Sequence, residues 1–275
     1  MNKKLFLLFM FAAFALVGAD AAKVVKILAI GNSFSEDAIE QNLHEIAAAD
    51  GVETIIGNLY IPGCSLEHHM KCANEDAKAY RYRKIGKMVK INKEQVSKAL
   101  ADEDWDFVSV QQASHFSGVY YTYQPYLSEL IAYVKKHVSP KTKIVFHQTW
   151  AYSQDSKHDG FIKYGKDQMT MFKGILDATR SALRDCPIDV LVPAGTAIQN
   201  ARTSFIGDRM NRDGYHLNLT YGRYTAACTW YQAIFKKSVV GNQFMPKGVT
   251  EEERVVAQKA AKAAVKHPFD VTNIR

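Results

Sequence analysis

The sequence predicts an α/β fold, a three-layer α/β/α sandwich around a mostly parallel five-stranded sheet, spanning residues 23–275. Two observations predict it. Short apolar or β-branched runs alternate with segments of helical period, and each run stops at glycine or polar residues. No internal repeat, low-complexity run or Gly/Ser linker divides the chain into smaller units.

The strand candidates are VVKILAI (24–30), TIIGNLYI (54–61), FVSVQQ (107–112), KIVFHQT (143–149) and DVLVPAG (189–195). Helical patterns fill 37–50, 93–103, 124–137, 167–184, 220–236 and 251–265. The basic stretch RYRKIGKMVKINK (81–93) mixes cations with apolar residues and reads as the solvated side of an amphipathic segment. Apolar residues make up 47% of the 275-residue chain and charged ones 23%, which suits a sizeable core and excludes collagenous, disordered and coiled-coil classes.

Residues 1–21 have the layout of a secretory signal peptide: Lys3 and Lys4, the apolar run Leu5 to Val17, then small residues through Ala22. Export to the periplasm or the extracellular space is therefore expected, without stable membrane insertion. The net charge of +7 falls to +6 once Lys3, Lys4 and Asp20 are removed, and the basic residues are scattered. That distribution gives no reason to expect nucleic acid as a partner. A monomer acting on a small-molecule or glycan ester is expected. The cysteines at 64, 72, 186 and 228 allow three pairings, with Cys64–Cys72 the nearest in sequence. Cys64, His68, His69 and Cys72 offer zinc-type ligands, but their spacing matches no familiar finger, so neither metal nor cofactor is expected.

In parallel sheets ligands bind beyond the carboxyl ends of the strands. KILAIGNSFSEDA (26–38) runs a strand into Gly31-Asn32-Ser33 and delivers a serine to that position. Serine needs a base, a group that orients the base, and donors for a developing oxyanion. DRMNRDGYHLNLT (208–220) supplies the first two: Asp213, three residues before His216, can reach the imidazole from the same loop. Ser33 also fits a helix N-cap with Glu36 in capping-box position, but Ser35 is a second cap candidate, leaving one serine free.

GNSFS, Gly63 in YIPGCSLEHH, and DGYH resemble, in order and spacing, the blocks of the SGNH (GDSL-like) hydrolases, in a bacterial branch with Asn in place of Asp in the first block. The resemblance implies an SGNH/flavodoxin-like fold, Ser33 as nucleophile, His216 as base and Asp213 as its orienting acid. It also implies that the Ser33 and Gly63 amides donate to the oxyanion. The family's third block, Gly-x-Asn-Asp, is replaced here by VSVQQASHFSG, so Gln111 or Gln112 is the expected substitute donor.

Asn32, Trp150, His147 and Tyr152 are expected to contact substrate, the aromatics stacking on a sugar ring together with HFSGVYYTYQPY (115–126). Arg202, Arg209 and Arg212, near the Asp–His pair, are candidates for binding a carboxylate or sulfate. The function expected is ester hydrolysis through an acyl-enzyme, with O-acetyl groups on a carbohydrate as substrate. The alternatives are a non-catalytic glycan-binding protein and a lipase- or thioesterase-type acyl hydrolase.

Overall fold

A computed structural model describes residues 24–275; the expected signal peptide lies outside the described residues. Among the described residues, seven strands form one mixed sheet in the order β4-β3-β2-β1-β5-β6-β7. The five expected strands are its parallel core: β1 (Val25–Gly31), β2 (Thr54–Tyr60), β5 (Phe107–Val110), β6 (Lys143–His147) and β7 (Val190–Val192). Alternation along β1 splits the core between two layers. Ile27 and Ala29 pack on one face, with α1 (Ser33–Ile39), α2 (Leu43–Ala49), α7 (Ala194–Arg202), α8 (Tyr221–Phe235) and α9 (Glu251–Lys266). Leu28 and Ile30 pack on the other, with α3 (Leu66–Asn74), α4 (Val96–Ala101) and α5 (Tyr126–His137). The long α6 (Gln168–Asp185) contributes to both layers.

The count of five strands is corrected to seven. Segment 81–93 is not simply a solvated face: β3 (Tyr80–Ile85) and β4 (Val89–Glu94) form an antiparallel hairpin against β2. Its signal is a period of two, with Tyr80, Tyr82 and Lys84 buried and Arg81, Arg83 and Ile85 half-buried. The density of cations masks that alternation. The single helix expected over 37–50 is two, broken at Asn42, whose φ is 69°.

Burying Lys84 calls for counter-charges, because an unpaired ammonium in the interior is costly. Its Nζ lies 2.6 Å from Asp102 and 2.8 Å from Glu103. Glu103 also receives Lys26 at 2.9 Å and Lys87 at 3.1 Å. Hydrogen bonds from Lys84 and Lys26 outweigh burial and hold the Glu103 carboxyl at about 2, against an ordinary 4.5.

A depressed carboxylate stabilises the fold above its unfolded pKa and loses that contribution as pH falls through the folded value. Glu103→Gln is therefore expected to cost on the order of 2–3 kcal/mol at neutral pH. The gap to wild type should narrow between pH 4.5 and 2. Urea unfolding of both proteins at pH 7 and pH 3 measures it, and equal gaps at the two pH values would refute the assignment.

Candidate active site

Strand order reverses at β1, whose neighbours are β2 on one side and β5 on the other. Their carboxyl ends open on a cavity of about 600 Å³ lined by Asn32, Ser33, Gly63, Ser114 and His216, among others. Gly31 ends β1 because a side chain has no room there: a Cβ would stand 2.4 Å from Ser35 Oγ and 3.2 Å from Gln111 Cδ. Neither serine caps the helix that follows. Asn32 does, its Oδ1 accepting from the Phe34 amide at 2.9 Å. Ser35 Oγ turns inward to the Asn32 carbonyl and Asn58, both at 2.8 Å. The Ser33 hydroxyl is thus left for another partner.

That partner is His216, whose Nε2 lies 2.8 Å from Ser33 Oγ across 183 residues of sequence. Its Nδ1 is 2.7 Å from Asp213 Oδ2. An ionised carboxylate only accepts, so the ring proton sits on Nδ1 and Nε2 accepts from the serine. Burial pushes the Asp213 carboxyl up, but hydrogen bonds from the His216 ring and from the His216 and Tyr215 amides outweigh it. The net shift is downward, and the carboxylate stays ionised at neutral pH.

The loop carrying both residues is closed by an antiparallel bridge between Asn211 and Leu217. Gly214 turns it at φ +89°, where a Cβ would also meet Ser156 Cα at 2.9 Å. Asp37, buried on α1, joins this loop to the helix that bears Ser33. It pairs with Arg212 at 3.0 Å and Arg223 at 2.8 Å, and accepts from the Leu217 amide at 2.8 Å. Arg212 also donates to the Leu217 carbonyl. On the outer side of α1, Glu36 and Glu40 pair with Arg83 of the edge hairpin at 2.9 and 2.6 Å.

Gly63 lines the cavity with Ser33, and neither amide has a hydrogen-bond partner among the described residues. The two glutamines do not join them. Gln111 and Gln112 are buried outside the cavity lining. Gln111 Nε2 donates to Asn32, and Gln112 Nε2 donates to Thr122.

The expected substrate contacts are also corrected. Trp150, Tyr152 and His147 are essentially inaccessible, because the chain continues from β6 straight into the core. Trp150 stacks on Phe34 at 4.3 Å and donates to the Tyr215 carbonyl at 2.8 Å, so it braces the His216 loop. Asn32 reaches the cavity floor, but its side-chain amide is taken by internal partners. Arg202 is buried on Asp208 and Asn211, Arg209 binds the Ile206 and Phe205 carbonyls, and Arg212 holds Asp37, so these arginines build the loop. The cysteines are all free and buried. Among the described residues no cluster of three or more His, Cys, Asp or Glu is arranged to hold a metal ion, and no helix is long and apolar enough to cross a membrane.

The aromatic wall exists, but other residues build it. Tyr215 packs on His216 with ring centroids 4.0 Å apart, His158 meets Tyr215 edge-on at 4.7 Å, and His115 lies 6.1 Å from His158. All of them line the cavity, with Lys163 and Asp159 beside them. Burial, reinforced by the neighbouring His158 and Lys163, lowers the His115 pKa. Burial also lowers that of His158, against the pull of Asp159. Both segments carry obvious aromatic and histidine residues in the sequence; which of them face the cavity depends on the turns after β5 and β6.

No curated protein matches the chain. Among solved structures, a DUF4886 family protein from Bacteroides uniformis is 49% identical, covers 92% of this chain and 98% of its own, and superposes with a TM-score of 0.90. A proposed SGNH hydrolase from Slackia heliotrinireducens is 21% identical over 77% of this chain and all of its own, with a TM-score of 0.54, and shares the fold. An acetylxylan esterase from Geobacillus stearothermophilus gives 12% identity over 81% of this chain and 97% of its own, with a TM-score of 0.48. The family profile described as a domain of unknown function, DUF4886, matches residues 26–264, and the chain belongs to that family.

Proposed function

We infer that this protein is a serine ester hydrolase that works through an acyl-enzyme on Ser33. One observation carries the reading: Ser33 Oγ, the His216 ring and the Asp213 carboxylate follow one another at 2.8 and 2.7 Å. His216 Nε2 takes the hydroxyl proton as Ser33 Oγ bonds to the acyl carbon, and the carbonyl electron pair moves onto oxygen. The free amides of Ser33 and Gly63 face that oxyanion. His216 then protonates the leaving alcohol as the C–O bond breaks. A water molecule, deprotonated by the same nitrogen, releases the acid.

The substrate we favour is a short acyl ester, such as O-acetyl, on a carbohydrate. The leaving alcohol must sit beside His216, and that side of the cavity carries Tyr215, His158 and His115. His158 Nδ1 accepts from the Gly160 amide at 3.0 Å, so the neutral ring has its proton on Nε2, a donor suited to a sugar hydroxyl. The cavity lining mixes charged and polar groups with aromatics, which suits a glycan better than a long acyl chain. The leader-like residues 1–21 favour a substrate met outside the cytoplasm. A non-catalytic glycan-binding role draws support from one feature, the withdrawal of Gln111 and Gln112 from the cavity; the Ser33–His216 distance weighs against it.

Ser33→Ala is expected to abolish turnover of aryl acetates with circular dichroism unchanged. In wild type a fluorophosphonate should label Ser33, as mapped by mass spectrometry. Full turnover by the variant, or no labelling at Ser33, would remove the mechanism. Asp37→Asn should lower the stability to urea by about 3 kcal/mol, since it leaves two guanidinium groups without their shared carboxylate. It should also reduce kcat at least about tenfold, because the imidazole is then no longer held on the serine. Wild-type kcat in that variant would show that the loop holds its place without Asp37.

A further inference from the structure

The paired glutamines after β5 sit where the resemblance leads one to expect an oxyanion donor, yet both are turned away from the cavity. Their partners indicate another task. Asn32 Nδ2 donates to the Cys64 carbonyl at 3.1 Å, and Asn32 Oδ1 accepts from the Phe34 amide at 2.9 Å. Backbone groups have fixed polarity, so these two contacts set which end of the Asn32 amide is nitrogen. Gln111 must then present Nε2 to Asn32 Oδ1, as it does at 2.9 Å. Its Oε1 faces His147 Nδ1 at 2.8 Å, which therefore carries the proton. His147 is fully buried, and burial lowers its pKa to about 3, so the ring is neutral with a bare Nε2. That nitrogen has no partner among the described residues. Gln112 ties the other end of the same loop: its Oε1 accepts from the Leu66 amide at 3.0 Å and from the Ala113 amide at 2.8 Å.

Gly63 immediately precedes these two anchors, Cys64 held through Asn32 and Leu66 held by Gln112. The Ser33 amide follows Asn32 directly. We propose that Gln111 and Gln112 are positioning residues that set the Gly63 amide against the Ser33 amide, Gln111 acting through Asn32 and Gln112 through Leu66. On this view asparagine at 32 and glutamine at 111 belong together. Aspartate at 32 still accepts from Phe34 and Gln111, but it turns an acceptor oxygen onto the Cys64 carbonyl and pushes the Gly63 loop away. The tight approach of Gln111 to Gly31 belongs to the same arrangement.

The proposal rests on the serine hydrolase reading, and the test separates the two. Wild type, Ser33→Ala, Asn32→Asp, Gln111→Glu and Gln112→Met are compared with an aryl acetate and with methylboronic acid, which forms a tetrahedral adduct on an active serine. Asn32→Asp and Gln111→Glu should lose about tenfold or more in kcat with KM within about threefold. Boronate affinity should fall in parallel with kcat, a pattern that general loosening does not produce. The Asn32 and Gln111 effects should be strongly non-additive in the double variant. Full activity in Ser33→Ala would overturn the serine reading and this proposal together. An inactive Ser33→Ala with wild-type kcat in the glutamine and Asn32 variants, or with kcat lost but boronate affinity intact, would overturn the positioning role alone. Nitrogen NMR of the His147 ring in wild type gives a readout independent of turnover: an Nδ1–H ring is expected, and an Nε2–H ring would refute the network.

Discussion

The site is held together by one buried carboxylate. Asp37 lies one helical turn after Ser33, so both side chains leave the same face of α1. Its oxygens receive Arg212, Arg223 and the Leu217 amide, which brings the loop with Asp213 and His216 onto the helix that carries Ser33. Ser33 and His216 stand 183 residues apart in sequence, and no secondary structure element contains both. Without a tether their 2.8 Å approach would depend on two independent surface segments. Two guanidiniums on one carboxylate also leave a local excess of positive charge beside the cavity, favourable to an oxyanion and tolerable because both arginines keep some contact with water.

The second constraint is steric. β1 must stop abruptly so that the Asn32 carbonyl starts α1 and accepts from Glu36 at 3.1 Å. Gly31 permits this because Ser35 and Gln111 occupy the space a side chain would need. Around that turn every short polar side chain has a local partner: Asn32 caps the helix, Ser35 binds back to the Asn32 carbonyl, and Asn58 donates to Glu40 at 2.6 Å. The Ser33 hydroxyl, unlike the side chains of Asn32 and Ser35, has no partner within the turn and meets His216 instead. The edge hairpin adds support from the far side through Arg81 and Arg83, so the two strands hidden in a basic stretch also bear on the site.

The parallel core was legible because its strands are short apolar runs with clean polar ends, and periodicity reports those directly. The hairpin was not, since its buried alternation of Tyr80, Tyr82 and Lys84 is interleaved with arginines and includes a charged residue that is buried only by virtue of Asp102 and Glu103. For the site, Ser33, Asp213 and His216 could be read from residue type and position past a strand end. Asp37 could not, because a carboxylate in the first turns of a helix is ordinary and its arginines lie 175 and 186 residues away. Trp150 and Tyr152 were misplaced for a related reason. Composition identifies an aromatic-rich loop, but only the path of the chain decides that Trp150 braces the loop from inside while Tyr215 and His158 face the cavity.

The charge on the proposed base is where these features meet. When His216 takes the serine proton it becomes an imidazolium, and every nearby cation opposes that step. His158 and His115 stand along the same wall, and burial keeps both from adding charge. Lys163 is exposed, where water screens it. The paired arginines have their nearest counter-charge in Asp37. Asp213, kept ionised by the ring and two amides, is therefore the charge in direct contact with the base. A wall of three histidines and a tyrosine thus places neighbouring imidazoles in different settings: a carboxylate orients one toward Ser33, and burial lowers the pKa of the other two, which leaves them suited to hydrogen bonding in the cavity.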